Sequence, residues 1–108
     1  MYILAELQNN VPVVSLVEPD DCQRFHLTIH GLSAAMAERA LEDTHIGRLY
    51  EHDNAWINIV ALRQMAEGHV QVGWSERFEA MVAYAKRKGW LSDDMQQLRG
   101  HCEWTLRS

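Results

Sequence analysis

His26 and His30 are the residues in this sequence whose type and spacing first suggest metal binding. They stand four positions apart, a spacing that on a helix places two ligands on one face. The segment Arg24–His30 alternates apolar and polar residues as a strand does, and four residues of strand span about 13 Å. Two ligands of one zinc ion must each bring a nitrogen to within about 2.1 Å of the metal. The pair therefore does not predict a metal site, and we expect no cofactor; the alternative is a site that one of these histidines forms with a distant His45, His52 or Asp53.

The two cysteines, Cys22 and Cys102, are poor candidates for a nucleophile. Cys22 follows Asp20 and Asp21, whose negative charge raises the pKa of a thiol and suppresses the reactive thiolate. Cys102 adjoins His101, but neighbouring side chains diverge in a helix or a strand, so adjacency does not make a dyad. Signatures of phosphate loops, dinucleotide folds, zinc hydrolases, calcium loops and serine nucleophile elbows are absent. These observations therefore favour a protein without catalytic activity over an enzyme.

Four tryptophans are many for a chain of 108 residues. Indole rings combine a large apolar area with a polar N–H, which favours them both in cores and at binding interfaces. Trp74 and Trp90 stand at the two ends of a predicted helix, where they are expected to close the core. Trp56 shares its strand face with the polar Asn58. It is the tryptophan that we expect at a partly exposed surface or a dimer contact.

Two hairpins are predicted to position these residues. In the first, Val11–Glu18 pairs with Arg24–His30 through a turn of proline and aspartate, with His26, Thr28 and His30 on the wet face. In the second, Arg48–Glu51 pairs with Ala55–Asn58. The segment 2–8 fits a third strand or a helix equally well.

Helical periodicity and capping residues predict four helices. They run from Ser33 to about Thr44, from Ile59 to Gly68, from Ser75 to Gly89, and from Ser92 through Leu98 towards Cys102. The tail also alternates as a strand would at Cys102, Trp104 and Leu106. The predicted fold is a single α+β domain spanning 1–108, with about four strands in antiparallel hairpins, about four helices, and a second half rich in helix.

Composition and charge exclude several functional classes. Apolar residues make up 47% and charged residues 23% of the chain, the balance of a globular protein. The net charge of −5 repels nucleic acid, and the Lys86–Lys88 cluster is explained by its place in the last turn of a helix. The longest apolar run, Val11–Val17, is too short to span a membrane. With two cysteines and no signal sequence, the chain is expected in the cytoplasm with reduced thiols.

Two functional hypotheses follow. The stretch from Trp56 to Leu91 resembles small bacterial proteins but matches no characterised family. The first hypothesis is a non-catalytic protein-interaction or regulatory domain, a homodimer being one form of it, because the chain has surplus aromatic residues and no assembled catalytic group. The alternative is a small-molecule-binding protein or an unmarked enzyme with a pocket between sheet and helices. The candidate binding residues are His26, Thr28, His30 and Trp56.

Overall fold

The computed structural model describes residues 1–105, which contain six strands and three helices. The strands are β1 (Tyr2–Gln8), β2 (Val11–Val17), β3 (His26–His30), β4 (Gly47–Tyr50), β5 (Asn54–Asn58) and β6 (Gln97–Thr105). The helices are α1 (Ala34–Asp43), α2 (Ile59–Ala66) and α3 (Trp74–Lys88). Leu106, part of the predicted C-terminal alternation, lies outside the described residues.

The strands form one curled, mixed sheet with the order β2-β1-β3-β6-β5-β4. β3 runs parallel to both of its neighbours, β1 and β6. The other neighbouring strands are antiparallel. All three helices lie in the chain between β3 and β6, within the long crossover connection that joins these two parallel strands.

The predicted fold class is wrong in the number and the arrangement of its elements. Within residues 1–105 the structure has six strands in one mixed sheet and three helices, instead of about four strands in separate hairpins and about four helices with a helix-rich second half. The first predicted hairpin does not form, because β2 pairs with β1 and not with β3. The reason is the turn between β1 and β2: Asn9 and Asn10 both have positive φ, at 52° and 65°, as a type I′ hairpin requires.

The fourth predicted helix, from Ser92, is also wrong. The Ser92 hydroxyl donates to the Asp94 carboxylate at 2.5 Å, and Asp94 in turn accepts from the Gln96 backbone N–H at 3.0 Å. Ser and Asp side chains that bond to nearby groups in this way stabilise a turn instead of a helix. Met95 follows with a φ of 60°, and the chain continues as β6. Leu98 and Cys102, spaced for a helical stripe, instead lie on one face of that strand, where both are buried.

The other elements agree with their predicted positions. Ser33 caps α1 by accepting a hydrogen bond from the Met36 N–H at 3.2 Å. The β4–β5 hairpin and α2 form as predicted. α3 ends at Gly89 as predicted, but its predicted N-cap is wrong: Gly73 is the cap, without a side-chain hydrogen bond, and Ser75 lies in the first turn of the helix, which begins at Trp74. The segment 2–8, whose residues suit a strand and a helix equally well, forms strand β1.

The core lies between the three helices and one face of the curled sheet. Its largest fully buried side chains come from both layers: Met1, Ile3, Leu27, Ile29, Leu41, Ile57, Leu62 and Phe78. α1 contacts both edge strands, β2 and β4, so the sheet curves around the helices. The other face of the sheet carries alternate residues of each strand and is covered by no helix within residues 1–105; we call it the open face.

Within residues 1–105, no helix is both long enough and apolar enough to cross a lipid bilayer.

Candidate functional site

All four predicted binding residues lie on the open face. His26, Thr28 and His30 point away from the helices because the residues between them, Leu27 and Ile29, are fully buried against the helices, at 0% and 1% exposure. Trp56 alternates in the same way with buried neighbours on β5. The three β3 side chains therefore form no wall of a pocket between sheet and helices.

The register aligns one row of open-face residues across the whole sheet. His101 of β6 is paired with His26 on one side and with Asn54 on the other. The row continues through Tyr2 to β2 and through Tyr50 to β4. We call these residues the central row: Val17, Tyr2, His26, His101, Asn54 and Tyr50.

The contacts of His26 are made with neighbouring strands. Its ring stacks on Tyr2 with the centroids 4.9 Å apart, and its Nε2 lies 3.9 Å from a carboxylate oxygen of Glu103. His30 is bonded separately, through its Nδ1 and the Thr105 hydroxyl at 2.7 Å. Thr28 is paired in register with Glu103. The structure thus places the two histidines in different local clusters, as the strand spacing predicted.

Trp56 lies in a second cluster, separated from β3 by strand β6. It is half-buried and meets the Tyr50 ring edge to face, with the centroids 5.7 Å apart. In register it stands between Arg48 of β4 and Arg99 of β6. The aliphatic stems of two flanking arginines are suited to covering an indole while their charged ends stay in water.

The open face has opposite charges on the two sides of the central row. Arg48 and Arg99 each lie two residues before the central-row residue of their own strand. Glu103 lies two residues after His101, on the other side of the row, and Glu6 of β1 lies farther in that direction. Sequence reasoning missed Arg48, Arg99 and Glu103. The signal was the alternation of polar Gln97, Arg99, His101, Glu103 and Thr105 with Leu98, Gly100 and Cys102.

The edges of the sheet are protected by α1. The Leu49 N–H of the edge strand β4 donates to Glu38 of α1 at 2.6 Å. At the opposite edge, α1 packs against β2, where Pro12 has no N–H to offer. Addition of a further strand from a partner is therefore disfavoured at the ends of the sheet, and the open face is the broad exposed surface.

A cleft of about 560 Å³ lies between the loop that follows β2 and helix α3. Its carboxylates already have partners: Asp20 pairs with Arg77 at 2.9 Å, and Asp21 lies 4.0 Å from the ammonium of the N-terminus. Cys22 is buried in its wall, and this burial raises the pKa of the thiol even though Arg77 acts in the opposite direction. The thiol is thus held in its protonated, unreactive form.

The described residues bring together no recognisable catalytic group. Burial, with a smaller contribution from Asp53, raises the pKa of the Cys102 thiol to about 11, so this cysteine is also protonated at neutral pH. Within residues 1–105, no three His, Cys, Asp or Glu side chains are grouped to hold a metal ion. In comparisons with known proteins, no family model, no curated protein and no solved structure matches this chain.

Proposed function

We propose that this chain is a non-catalytic protein-interaction domain that forms a homodimer through the open face of its sheet. The observation that carries the proposal is a six-stranded sheet with helices on one face only. On the uncovered face, half-buried apolar side chains lie on β2, β1 and β5: Val13, Val17, Tyr2, Leu4 and Trp56. The open-face residues of β3 and β6 between them are polar or charged, and such a mixture of apolar and polar surface is typical of weak protein interfaces.

A second copy of the chain is the occupant that the open face fits best. The face carries both arginines and glutamates, so it offers each charge a partner of opposite sign on an identical surface. Nucleic acid would meet the acidic side of the face and a net charge of −5. The balance of charges within one face therefore supports self-association.

The size of the face indicates a weak, reversible dimer. Laid flat, six strands spaced about 4.8 Å apart and about five residues long would cover about 29 by 17 Å, or about 500 Å² per copy. Because the sheet curves around the helices, the open face is convex and its edge strands turn away from a facing copy, so the contact stays below the about 800 Å² per partner of a standard interface. We expect a dimer whose population depends on concentration in the micromolar range.

Two reduced cysteines are compatible with this function in the cytoplasm. Cys22 and Cys102 are both free and buried, so neither is placed to link two copies. Their thiols would stay reduced in the cytosol. We therefore propose a cytoplasmic domain whose dimer depends on noncovalent contacts.

Binding of a small molecule is the second candidate function, and the cleft beside α3 favours it. Its volume of about 560 Å³ is within the range of small-molecule sites. Met81 and Tyr84 contribute apolar surface, and Arg87 brings a positive charge to the wall. The predicted histidines lie on the open face and take no part in this cleft. A ligand that shifts the NMR signals of α3 without changing the oligomeric state would favour this candidate over the interaction domain.

Sedimentation velocity between about 1 and 500 µM tests the proposed dimer. We expect the mass to rise with concentration from the 12.5 kDa of one chain towards twice that value. In parallel, dilution should shift the amide NMR signals of β1, β3, β5 and β6 more than those of the three helices. A constant mass of one chain across the whole range would contradict the proposal. A dimer whose dilution shifts are confined to the helices would contradict the assignment of the open face.

A further inference from the structure

The charges on β6 are antisymmetric about one residue. His101 lies at the centre of the open-face positions of this strand, with Arg99 two residues before it and Glu103 two residues after it. Residues four apart on a strand are separated by about 13 Å, so Arg99 cannot reach Glu103 in its own chain. Within residues 1–105, Arg99 forms no ion pair. Glu103 lies 3.9 Å from the His26 Nε2, a contact that is an ion pair only when the imidazole is protonated. Arg99 is therefore available to a partner, and the exposed Glu103 carboxylate can accept a second contact.

We infer that two copies pair about a twofold axis that passes through His101 and runs across the strands, so that Arg99 of each copy faces Glu103 of the other. This inference rests on the proposed function, since it assumes that the open face binds a second copy. A rotation about such an axis leaves β6 opposite β6 and reverses its direction. It therefore exchanges the positions of Arg99 and Glu103 and forms two identical ion pairs, as an isologous interface requires.

The same axis also places the positive charge on the β4–β5 hairpin of one copy opposite acidic residues of the other copy. Arg48 of β4 lies on the same side of the central row as Arg99. The rotation brings it opposite the β4–β5 turn of the second copy, which follows Tyr50 and carries Glu51 and Asp53. The central row itself meets its own counterpart, and its aromatic and small polar side chains contribute stacking and packing at the axis.

An axis parallel to the strands does not match the charges. It would exchange β6 with β3, because these are the two central strands of the sheet. Glu103 would then face Thr28, which stands at the same level of the sheet, and Arg99 would face the end of β3, where Arg24 precedes the strand. Of these two axes, only the one across the strands gives Arg48 and Arg99 acidic partners.

Charge reversal tests the pairing. Each of the variants Arg99→Glu and Glu103→Arg should raise the dimer dissociation constant at least tenfold, because each places two pairs of like charges in the interface. Mixing the two variants in equal amounts should restore a heterodimer with an affinity within about threefold of the wild type, since all four facing charges are then opposite. The double variant Arg99→Glu/Glu103→Arg should restore the homodimer. Arg87→Glu, which changes an exposed charge on α3, is the matched control and should dimerise normally.

The outcomes separate this inference from the proposed function. A wild-type protein that stays monomeric would contradict the proposed function. A dimeric wild type whose single variants behave like Arg87→Glu, or whose mixed variants do not associate, would contradict the axis while the open-face dimer stands.

A cysteine on the axis gives a test that needs no charge reversal. His101 is exposed, and the native cysteines are buried, so a cysteine introduced here is the reactive one. Facing sheets lie about 10 Å apart, which leaves the β-carbons of a residue and its symmetry mate on the axis about 7 Å apart. This separation is too long for a disulfide, but a short bismaleimide that joins two thiols can span it. With such a reagent, His101→Cys should form a covalent dimer at least ten times faster than His30→Cys, which lies off the axis. Equal rates for the two variants would overturn the axis.

Discussion

Glu38 of helix α1 and Leu49 of strand β4 are joined by a hydrogen bond of 2.6 Å, from the Leu49 N–H to the Glu38 carboxylate. β4 is an edge strand, so this N–H has no partner strand on that side. The bond thus fixes α1 to the edge of the sheet, and it removes one of the unpaired donors that make an edge prone to adding a foreign strand.

The variant Glu38→Ala should lower the free energy of unfolding by about 1–2 kcal/mol, because it leaves the Leu49 N–H without its acceptor. Glu38→Gln retains an acceptor oxygen and should lose less than about 1 kcal/mol. Urea denaturation of the two variants and the wild type makes this measurement. Equal losses in the two variants would mean that packing of the side-chain stem, and not the hydrogen bond, makes the contribution.

Two glycines of the sheet should differ in their tolerance of a methyl group. A β-carbon at Gly47 would overlap the carbonyl oxygen of Trp56, a backbone atom fixed by the β4–β5 pairing. A β-carbon at Gly100 would meet side-chain atoms instead, at 2.6 Å from Leu27 and 2.9 Å from Phe25. Because backbone shifts cost more than small rotations of side chains, we expect Gly47→Ala to destabilise the protein by about 3 kcal/mol or more and Gly100→Ala by about 1–2 kcal/mol. Thermal denaturation ranks the two variants, and the reverse order would contradict this account.

Cys102 should make the stability of the protein decrease in alkali. Burial raises the pKa of its thiol from the ordinary 9.0 to about 11. Between these two values the unfolded chain ionises while the folded chain does not, so the stabilisation is complete below about pH 9 and is lost as the pH rises towards 11. The loss amounts to at most about 3 kcal/mol.

Cys102→Ala removes this titration and leaves the other alkaline groups in place. The difference in unfolding free energy between the wild type and Cys102→Ala should therefore shrink from pH 8 to pH 11. Below pH 9, a thiol reagent should react with Cys102 only at the rate of unfolding. A difference that stays constant across this range would show that the thiol ionises equally in both states.

Local patterns predicted the three helices that form and one hairpin, but they also predicted a fourth helix where the structure has a turn and β6. Ser33 and Gly89 mark helix ends by chemistry that acts within a few residues. The alternation from His26 to His30 likewise predicted which side chains leave the core, because a strand has two faces whatever its partners are. The outward direction of the candidate histidines could therefore be predicted from the sequence.

The pairing of the strands depends on distant residues and was beyond local patterns. β3 pairs with β6, so that His26 lies beside His101 although the two are far apart in the chain. Leu98 and Cys102 have a spacing that fits one face of a helix and one face of a strand equally. Only the turn bonds of Ser92 and Asp94, together with the place that the sheet leaves for β6, decide between the two structures. The charged part of the candidate site was missed for this reason.

Trp56 and Trp90 provide a matched pair for testing the open face. Each indole meets a tyrosine ring edge to face, Trp56 with Tyr50 at 5.7 Å and Trp90 with Tyr84 at 5.9 Å between centroids. The first pair lies on the open face, and the second lies beside the end of α3. The Trp90 carbonyl oxygen accepts a hydrogen bond from the Arg99 N–H at 2.8 Å, and an alanine at this position retains that bond. Replacement of either tryptophan by alanine removes a similar area and a similar aromatic contact.

Trp56→Ala should raise the dimer dissociation constant at least tenfold, because a central aromatic residue commonly dominates the binding energy of an interface. Trp90→Ala should leave it within about threefold of the wild type. Sedimentation velocity measures both constants, and circular dichroism confirms that both variants are folded. If Trp90→Ala weakened the dimer as much as Trp56→Ala did, the result would contradict the assignment of the dimer contact to the open face and would favour a contact beside α3.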